Sequence, residues 1–352
     1  DQAAYHVRWR MPGTHARGGG QGQPIRLDDT WFFGLEHPCG ETLMDDGTLV
    51  LKQHPGYRFD AEPLALQTMV IGGGERGRAR AAVDAYVEHL RRPARSLTLY
   101  NTWCDMRGAE LTLQGISNAS AAIQSKLRQY GAALDVAAID DGWFVPGSIW
   151  ECDTNKFPGC MQAAHAAVAV SGARLGLWLP LSGHSLDTSW GGARGFEVAS
   201  PKYYCMSGTN YNRALRAQLT RLMAGNAIDY FKHDFCFFWC GRTDHGHFPT
   251  QAQSTEANVT ALLSLLEMEA RMNPRIFLAI TTGIWPSPWW LPYVDTIWMG
   301  GGDHDYNRAL PASRGSAFEM NYRDGALYTM LVTRELAFPL SALMTHGVVD
   351  GR

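Results

Sequence analysis

Three groups of aspartates follow apolar runs along the chain: Asp140-Asp141, Asp234, and Asp303 with Asp305. Two carboxyl groups facing each other are what cleavage of a glycosidic bond requires. One attacks the sugar or activates water, and the other protonates the departing oxygen. Asp234 closes the segment Asp229-Tyr230-Phe231-Lys232-His233-Asp234. Strand alternation sends Lys232 and Asp234 to the same side, and a nearby ammonium keeps a carboxylate ionised, as a nucleophile must be. A structural Lys–Asp pair at a strand end is the plainer reading. Asp140 and Asp141 repel one another unless something polar binds them. Sugar hydroxyls are suitable partners, and capping of a helix is the competing account. Asp303-His304-Asp305 follows Trp298 and Gly300-Gly301-Gly302. A carboxyl there, near Trp285, Trp289, Trp290 and Trp298, would be pushed upward by desolvation, which suits a general acid; an exposed acidic loop is the alternative.

These residues need a scaffold that ends many strands on one side. Residues 1–95 read as a β-rich segment. Short apolar stretches (Trp31-Phe32-Phe33, Thr48–Leu51, Leu64–Ile71) are separated by Gly, Pro and Asp, and a linking helix, Ala79–Leu90, follows. From 96 to 352 strands and helices alternate. Strands are expected at Leu97–Trp103, Leu134–Ile139, Leu175–Leu179, Ile228–Lys232, Ile276–Thr281, Val294–Trp298 and Leu340–Met344. Helices are expected at Ala121–Tyr130, Met161–Val170, Asn212–Ala224 and Thr255–Met272. Repeated β-then-α units imply a parallel sheet. Polar or Gly residues at nearly every strand end favour a (β/α)8 TIM-type barrel over an open sheet, since a barrel builds its sites on that one face. About seven strands are counted, so the eighth is either unrecognised or absent.

Composition narrows the partners. A net charge of -3 without a basic stripe argues against nucleic acid, and no apolar run is long enough to span a membrane. The chain holds 12 Trp, and indole faces stack on the C–H faces of sugars as readily as they fill a core. Trp143, Trp178 and Trp298 stand beside the acidic groups and are, with Asp305, candidate sugar contacts. Seven cysteines leave at least one unpaired; Cys152/Cys160 and Cys236/Cys240 are close enough to bridge within a loop. Asp244-His245-Gly246-His247, with His233, His304 and His346, would supply a metal-dependent hydrolase. That cluster, however, reads as a solvated loop past a strand end, and the cysteines lack zinc-type CxxC doublets. No metal and no cofactor are expected.

The ordered motifs resemble glycoside hydrolase family 36 and its clan D, the α-galactosidase-like retaining enzymes. Tyr100-Asn101-Thr102-Trp103 is similar to the family's Asn-Ser-Trp at the first strand, and Asp140-Asp141-Gly142-Trp143-Phe144 to its second-strand motif. Trp150 through Lys156-Phe157-Pro158-Gly159 resembles the segment after it, and Leu175-Gly176-Leu177-Trp178 the third strand. Tyr230-Phe231-Lys232-His233-Asp234 resembles Tyr-Ile-Lys-Trp-Asp, whose aspartate is the nucleophile. The likeness spans roughly residues 30–350. It implies that Asp234 is the nucleophile, that Asp140, Asp141 and Lys232 contact hydroxyls of the terminal sugar, and that the acid/base follows the sixth strand. Asp303 is the nearer match to that acid/base and Asp305 the reserve, in a loop longer than the family's Trp-x-Ser-Asp. His233 replaces the usual Trp, and Leu179-Pro180-Leu181-Ser182-Gly183 stands where the family has a Glu-Pro-Glu-like stretch. The chain ends before the family's C-terminal β-domain. The implied activity is retaining exo-cleavage of a terminal α-galactoside or α-N-acetylgalactosaminide in an oligosaccharide or glycoconjugate. A carbohydrate-binding protein on a decayed glycosidase barrel is the alternative. Oligomeric state is open, and so is compartment, with an extracellular or periplasmic setting favoured.

Overall fold

The computed structural model describes residues 4–57, 66–225, 228–298, 321, 324–325 and 328–344. Asp303, His304, Asp305 and His346 lie outside the described residues. The chain divides into two compact units: residues 1–55, 61–94 and 284–352 form one, and residues 56–60 with 95–283 the other.

The first unit begins with eight strands: β1 (Tyr5–Arg10), β2 (Ala16–Gly18), β3 (Gly20–Gln21), β4 (Ile25–Leu27), β5 (Trp31–Leu35), β6 (Glu41–Asp45), β7 (Thr48–Gln53) and β8 (Met69–Gly73), followed by α1 (Ala79–Leu90). They form two antiparallel sheets, ordered β1-β7-β6-β3 and β2-β4-β5-β8. β6 and β7 pair in register from Asp45↔Thr48, leaving Asp46-Gly47 as a two-residue turn. Both turn residues have positive φ, 40° and 65°, the primed turn that matches strand twist. Ile25, Leu27, Phe33, Leu35, Leu49 and Leu51 form a buried apolar cluster, with Trp9, Met11 and Met44 packed on it.

The late segment joins this unit by polar contacts. Gln23 Nε2 donates to the Pro286 carbonyl (2.6 Å) and Ser287 Oγ to that of Gly22 (2.6 Å). Ala337 N donates to Gln23 Oε1 (2.8 Å), and Arg26 pairs with Glu335 at 2.5 Å. Trp289 and Trp290 are buried here, and Trp298 is half-buried.

The second unit carries the alternating elements: β9 (Leu99–Asn101), α2 (Leu113–Arg128), β10 (Val136–Ile139), α3 (Cys160–Ala169), β11 (Arg174–Trp178), α4 (Thr188–Gly192), β12 (Val198–Ser200), β13 (Tyr203–Tyr204), α5 (Thr209–Met223), β14 (Ile228–His233), α6 (Gln251–Met272) and β15 (Phe277–Ile280). After it the chain returns to the first unit with β16 (Thr296–Ile297). Within the second unit β9, β10, β11, β14 and β15 lie side by side in that order, every neighbouring pair parallel. β10 is buried at all four residues, as expected of a strand covered on both faces. Among the described residues this is a run of parallel strands rather than a complete eight-stranded barrel, so the sequence-based expectation of a full barrel is met only in part.

Helices differ from expectation at their starts. α2 begins at Leu113, where the Thr112 side chain accepts from Gly115 N (3.1 Å). That N-cap replaces the expected start at Ala121. Cys152 and Cys160 form a disulfide, whereas Cys236 and Cys240 are free and buried. No helix among the described residues is long and apolar enough to cross a membrane.

Candidate active site

The C-terminal ends of β9, β10, β11, β14 and β15 bring Asn101, Asp140, Trp178, Lys232, Asp234 and Thr281 together. Register sets part of this: Trp178 pairs with Lys232 across β11 and β14, and Ala138 with Asn101 across β10 and β9.

Asp234 is held on both carboxylate oxygens. Its Oδ1 accepts from Thr281 Oγ1 (2.6 Å), Phe235 N (2.8 Å) and Thr282 N (3.2 Å), and its Oδ2 accepts from Trp178 Nε1 (3.1 Å). Lys232 Nζ stands 4.0 Å from the same Oδ2. Asp234 is only 7% exposed. Burial pushes its carboxyl upward, but the Lys232 charge and the bonds from Thr281, Thr282 and Trp178 outweigh it, and the net shift is downward. The group is an ionised, oriented carboxylate. The next residue, Phe235, has φ of +46°, a conformation a bulky side chain rarely adopts. Its ring stacks on His184 with centroids 3.9 Å apart.

Lys232 links the two acidic groups. Its Nζ donates to Asp140 Oδ2 at 2.9 Å, and Asn101 Nδ2 donates to the same oxygen at 2.8 Å. The Asp140 backbone N–H donates to Thr102 Oγ1 (3.0 Å), and Asp141 N to Asp140 Oδ1 (3.0 Å). Asp141 itself is half-buried. Burial first, and the Asp140 charge second, raise its carboxyl above the usual range. Ser185 Oγ reaches it at 3.5 Å.

The tryptophans divide. Trp143 is fully buried, its indole N–H donates to the Trp178 carbonyl (2.9 Å), and its ring packs on Phe144 and Trp150. It supports the site from beneath and offers no open face. Trp178, 2% exposed, acts through its N–H on Asp234. Replacing Trp178 by Phe keeps the ring and deletes that bond to a charged acceptor. The expected result is an upward move of the Asp234 carboxyl, since one of the bonds that hold it down is gone; a carboxyl-carbon NMR titration checks it.

Sequence reasoning passed over several contributors. Thr281 and Thr282 hold the Asp234 carboxylate from β15 and its exit. His184 faces Phe235, and burial pushes its imidazole down despite the Asp234 charge, so it is neutral. Gly283 is required by crowding: its φ is +92°, and a Cβ there would lie 2.1 Å from the Cys236 carbonyl oxygen. Gly283→Ala is therefore expected to destabilise the protein by about 2–4 kcal/mol, read as a lower denaturant midpoint. His233, which stands where the resembled family has a Trp, is fully buried beneath the site. It bridges the Leu179 carbonyl (2.8 Å) and Glu269 Oε2 (2.9 Å). His245 and His247, read as solvated, are buried, each beside a cysteine sulfur.

No family model matches the chain, and no curated protein does. Solved structures do match in fold. The GH36 α-galactosidase AgaB from Geobacillus stearothermophilus shares 14% identity at a TM-score of 0.61, covering 96% of this chain and 54% of that one. An AgaA variant from the same organism, in complex with 1-deoxygalactonojirimycin, shares 14% at 0.60, covering 97% and 55%. The α-galactosidase from Lactobacillus brevis shares 13% at 0.54, covering 97% and 48%. The chain thus spans about half the length of the solved structures it matches, and the likeness is one of fold.

Proposed function

We propose that this chain is a retaining exo-α-glycosidase acting on terminal α-galactosides or α-N-acetylgalactosaminides. The observation that carries the reading is Asp234: a buried, ionised carboxylate, hydrogen-bonded on both oxygens, at the C-terminal edge of a parallel sheet where barrel enzymes react. The shared fold with GH36 α-galactosidases, one carrying an iminosugar, adds support. So do the complexes of AgaA variants with raffinose and stachyose. The five parallel strands fit a (β/α)8 barrel.

In this reading Asp234 attacks the anomeric carbon, and an acid protonates the leaving oxygen as the glycosidic bond breaks. The same group then takes a proton from water, which displaces Asp234. Asp303 is proposed for that acid/base, with Asp305 in reserve. Retention requires the two carboxyls about 5–5.5 Å apart. Asp140, Asp141 and Lys232 are proposed to grip sugar hydroxyls. Asp140 is already oriented by Asn101 and Lys232, while the raised Asp141 carboxyl exchanges donor and acceptor roles most readily. Trp143 and Trp178 act as supports, and Trp298 is kept as a substrate contact.

The test is hydrolysis of aryl α-glycosides, with the product anomer followed by NMR. Asp234→Gly with added azide should yield a β-glycosyl azide, because azide enters the face the carboxylate vacated while the intact acid frees the aglycone. A chain that retains sugar on an affinity column but releases no aglycone would instead be a carbohydrate-binding protein.

A further inference from the structure

Cys205 lies directly after β13, and Cys240, His245 and His247 lie on the loop between β14 and α6. All four are buried, at 1%, 0%, 7% and 1% exposed. Each points one ligand-capable atom at the others, and these four atoms lie within 4.8 Å of one another. Cys205 Sγ is 3.2 Å from His247 Nε2, and Cys240 Sγ is 3.2 Å from His245 Nδ1. Ligands at about 2.0–2.3 Å from a tetrahedral zinc are separated by roughly 3.3–3.8 Å, so the cluster is close to a coordination shell.

The surroundings set the ring nitrogens as ligation needs. His247 Nδ1 is 2.8 Å from the Phe248 carbonyl. It donates there, which leaves the Nε2 lone pair aimed at the sulfurs. His245 turns Nδ1 inward and Nε2 towards Asp244 Oδ1, 3.9 Å away. Metal-bound histidines are oriented in this way, by a carbonyl or a carboxylate on the far nitrogen. α6 braces the loop: Cys240 N donates to Ser254 Oγ (3.2 Å), and Asn258 Nδ2 to the Phe238 carbonyl (3.0 Å).

We propose that Cys205, Cys240, His245 and His247 bind one structural zinc ion. Two thiolates and two imidazoles favour zinc over the oxygen-seeking calcium and magnesium. Four protein ligands fill a tetrahedral shell and leave no position for substrate, so the ion is structural. It ties the loop that follows Asp234 to the segment that leads into α5. This assignment is independent of the glycosidase reading.

The full chain is to be produced in zinc-supplemented medium and its metal measured by plasma mass spectrometry. About one zinc per chain is expected. Cys205→Ser and His247→Ala should each lower the content at least tenfold, and Cys236→Ser, a buried thiol outside the cluster, should keep it. Chelation should lower Tm by on the order of 5–10 °C, restored by zinc alone. Because the cluster variants can fail to fold, the wild-type protein provides a second readout. Stripped and given cobalt(II), it should show thiolate-to-metal charge transfer and tetrahedral d–d bands. Wild-type protein with only trace zinc and no cobalt–thiolate band overturns the proposal, as does a Cys205–Cys240 disulfide in a non-reducing peptide map.

Discussion

Asp234→Asn is expected to lower kcat/KM for an aryl α-glycoside by on the order of 10⁴-fold while the protein still folds and still retains sugar. The size follows from what the side chain does. The covalent role proposed for it has no substitute, because Asp140, the carboxylate that shares Lys232 with it, is engaged by Lys232 and Asn101 on one oxygen. Stability should fall only modestly, by about 1–3 kcal/mol, because the amide nitrogen that replaces Oδ2 meets the Trp178 indole N–H, donor against donor. Asn Oδ1 can still accept from Thr281, Phe235 and Thr282, which hold Oδ1 in the native protein. The lost charge removes a partner from Lys232, but Asp140, closer at 2.9 Å, keeps that ammonium paired. Kinetics on an activated aryl α-glycoside, calorimetry and an immobilised-sugar column separate the effects. Activity within tenfold of wild type would remove Asp234 as nucleophile. Lost activity together with a collapsed Tm would mean that the carboxylate serves the fold.

Much of the second unit was legible because its strands are buried on both faces. Continuous apolar runs such as Val136–Ile139 and Phe277–Ile280 leave no room for a surface helix, and the residues just beyond them are the ones that line the site. β9 was harder: only Leu99–Asn101 is extended, and all three residues are half-buried. The start of α2 is hidden in the sequence because Gly115, Ser117 and Asn118 are weak helix formers, and only the Thr112 cap offsets them. Residue type could not divide the tryptophans. Trp143 follows Asp141 by two positions, as a sugar platform would, yet it packs under the sheet edge.

The Cys/His cluster was illegible for a topological reason. Its ligands come from two loops separated by a helix and a strand, and no spacing rule joins them. Asp244 and Gly246 also gave the histidine stretch a solvated look, although the two imidazoles turn inward. The proposed acid/base, Asp303 or Asp305, rests on the motif resemblance.

Lys232→Met should produce the second large effect, and its pH signature separates a catalytic from a merely structural pair. The ammonium side chain is 13% exposed and lies between Asp140 and Asp234, whose side chains are 4% and 10% exposed. Methionine fills a similar volume but leaves two buried carboxylates facing each other. Breaking a buried pair in this way costs about 3–5 kcal/mol, read as a lower denaturant midpoint. The sign follows from Asp234. In the native protein its folded pKa lies below its ordinary value. The stability this confers is present above the unfolded pKa and is lost as pH falls through the folded pKa. Without Lys232 the largest of the influences that lower the carboxyl is gone, and its pKa moves upward. Protonation then begins at higher pH, and the nucleophile disappears as a proton binds. The acid limb of kcat/KM should therefore move to higher pH in Lys232→Met, and Lys232→Arg should restore much of it, since guanidinium keeps the charge. Reduced stability with an unmoved acid limb would show that Lys232 holds the strand end together without setting the charge of Asp234.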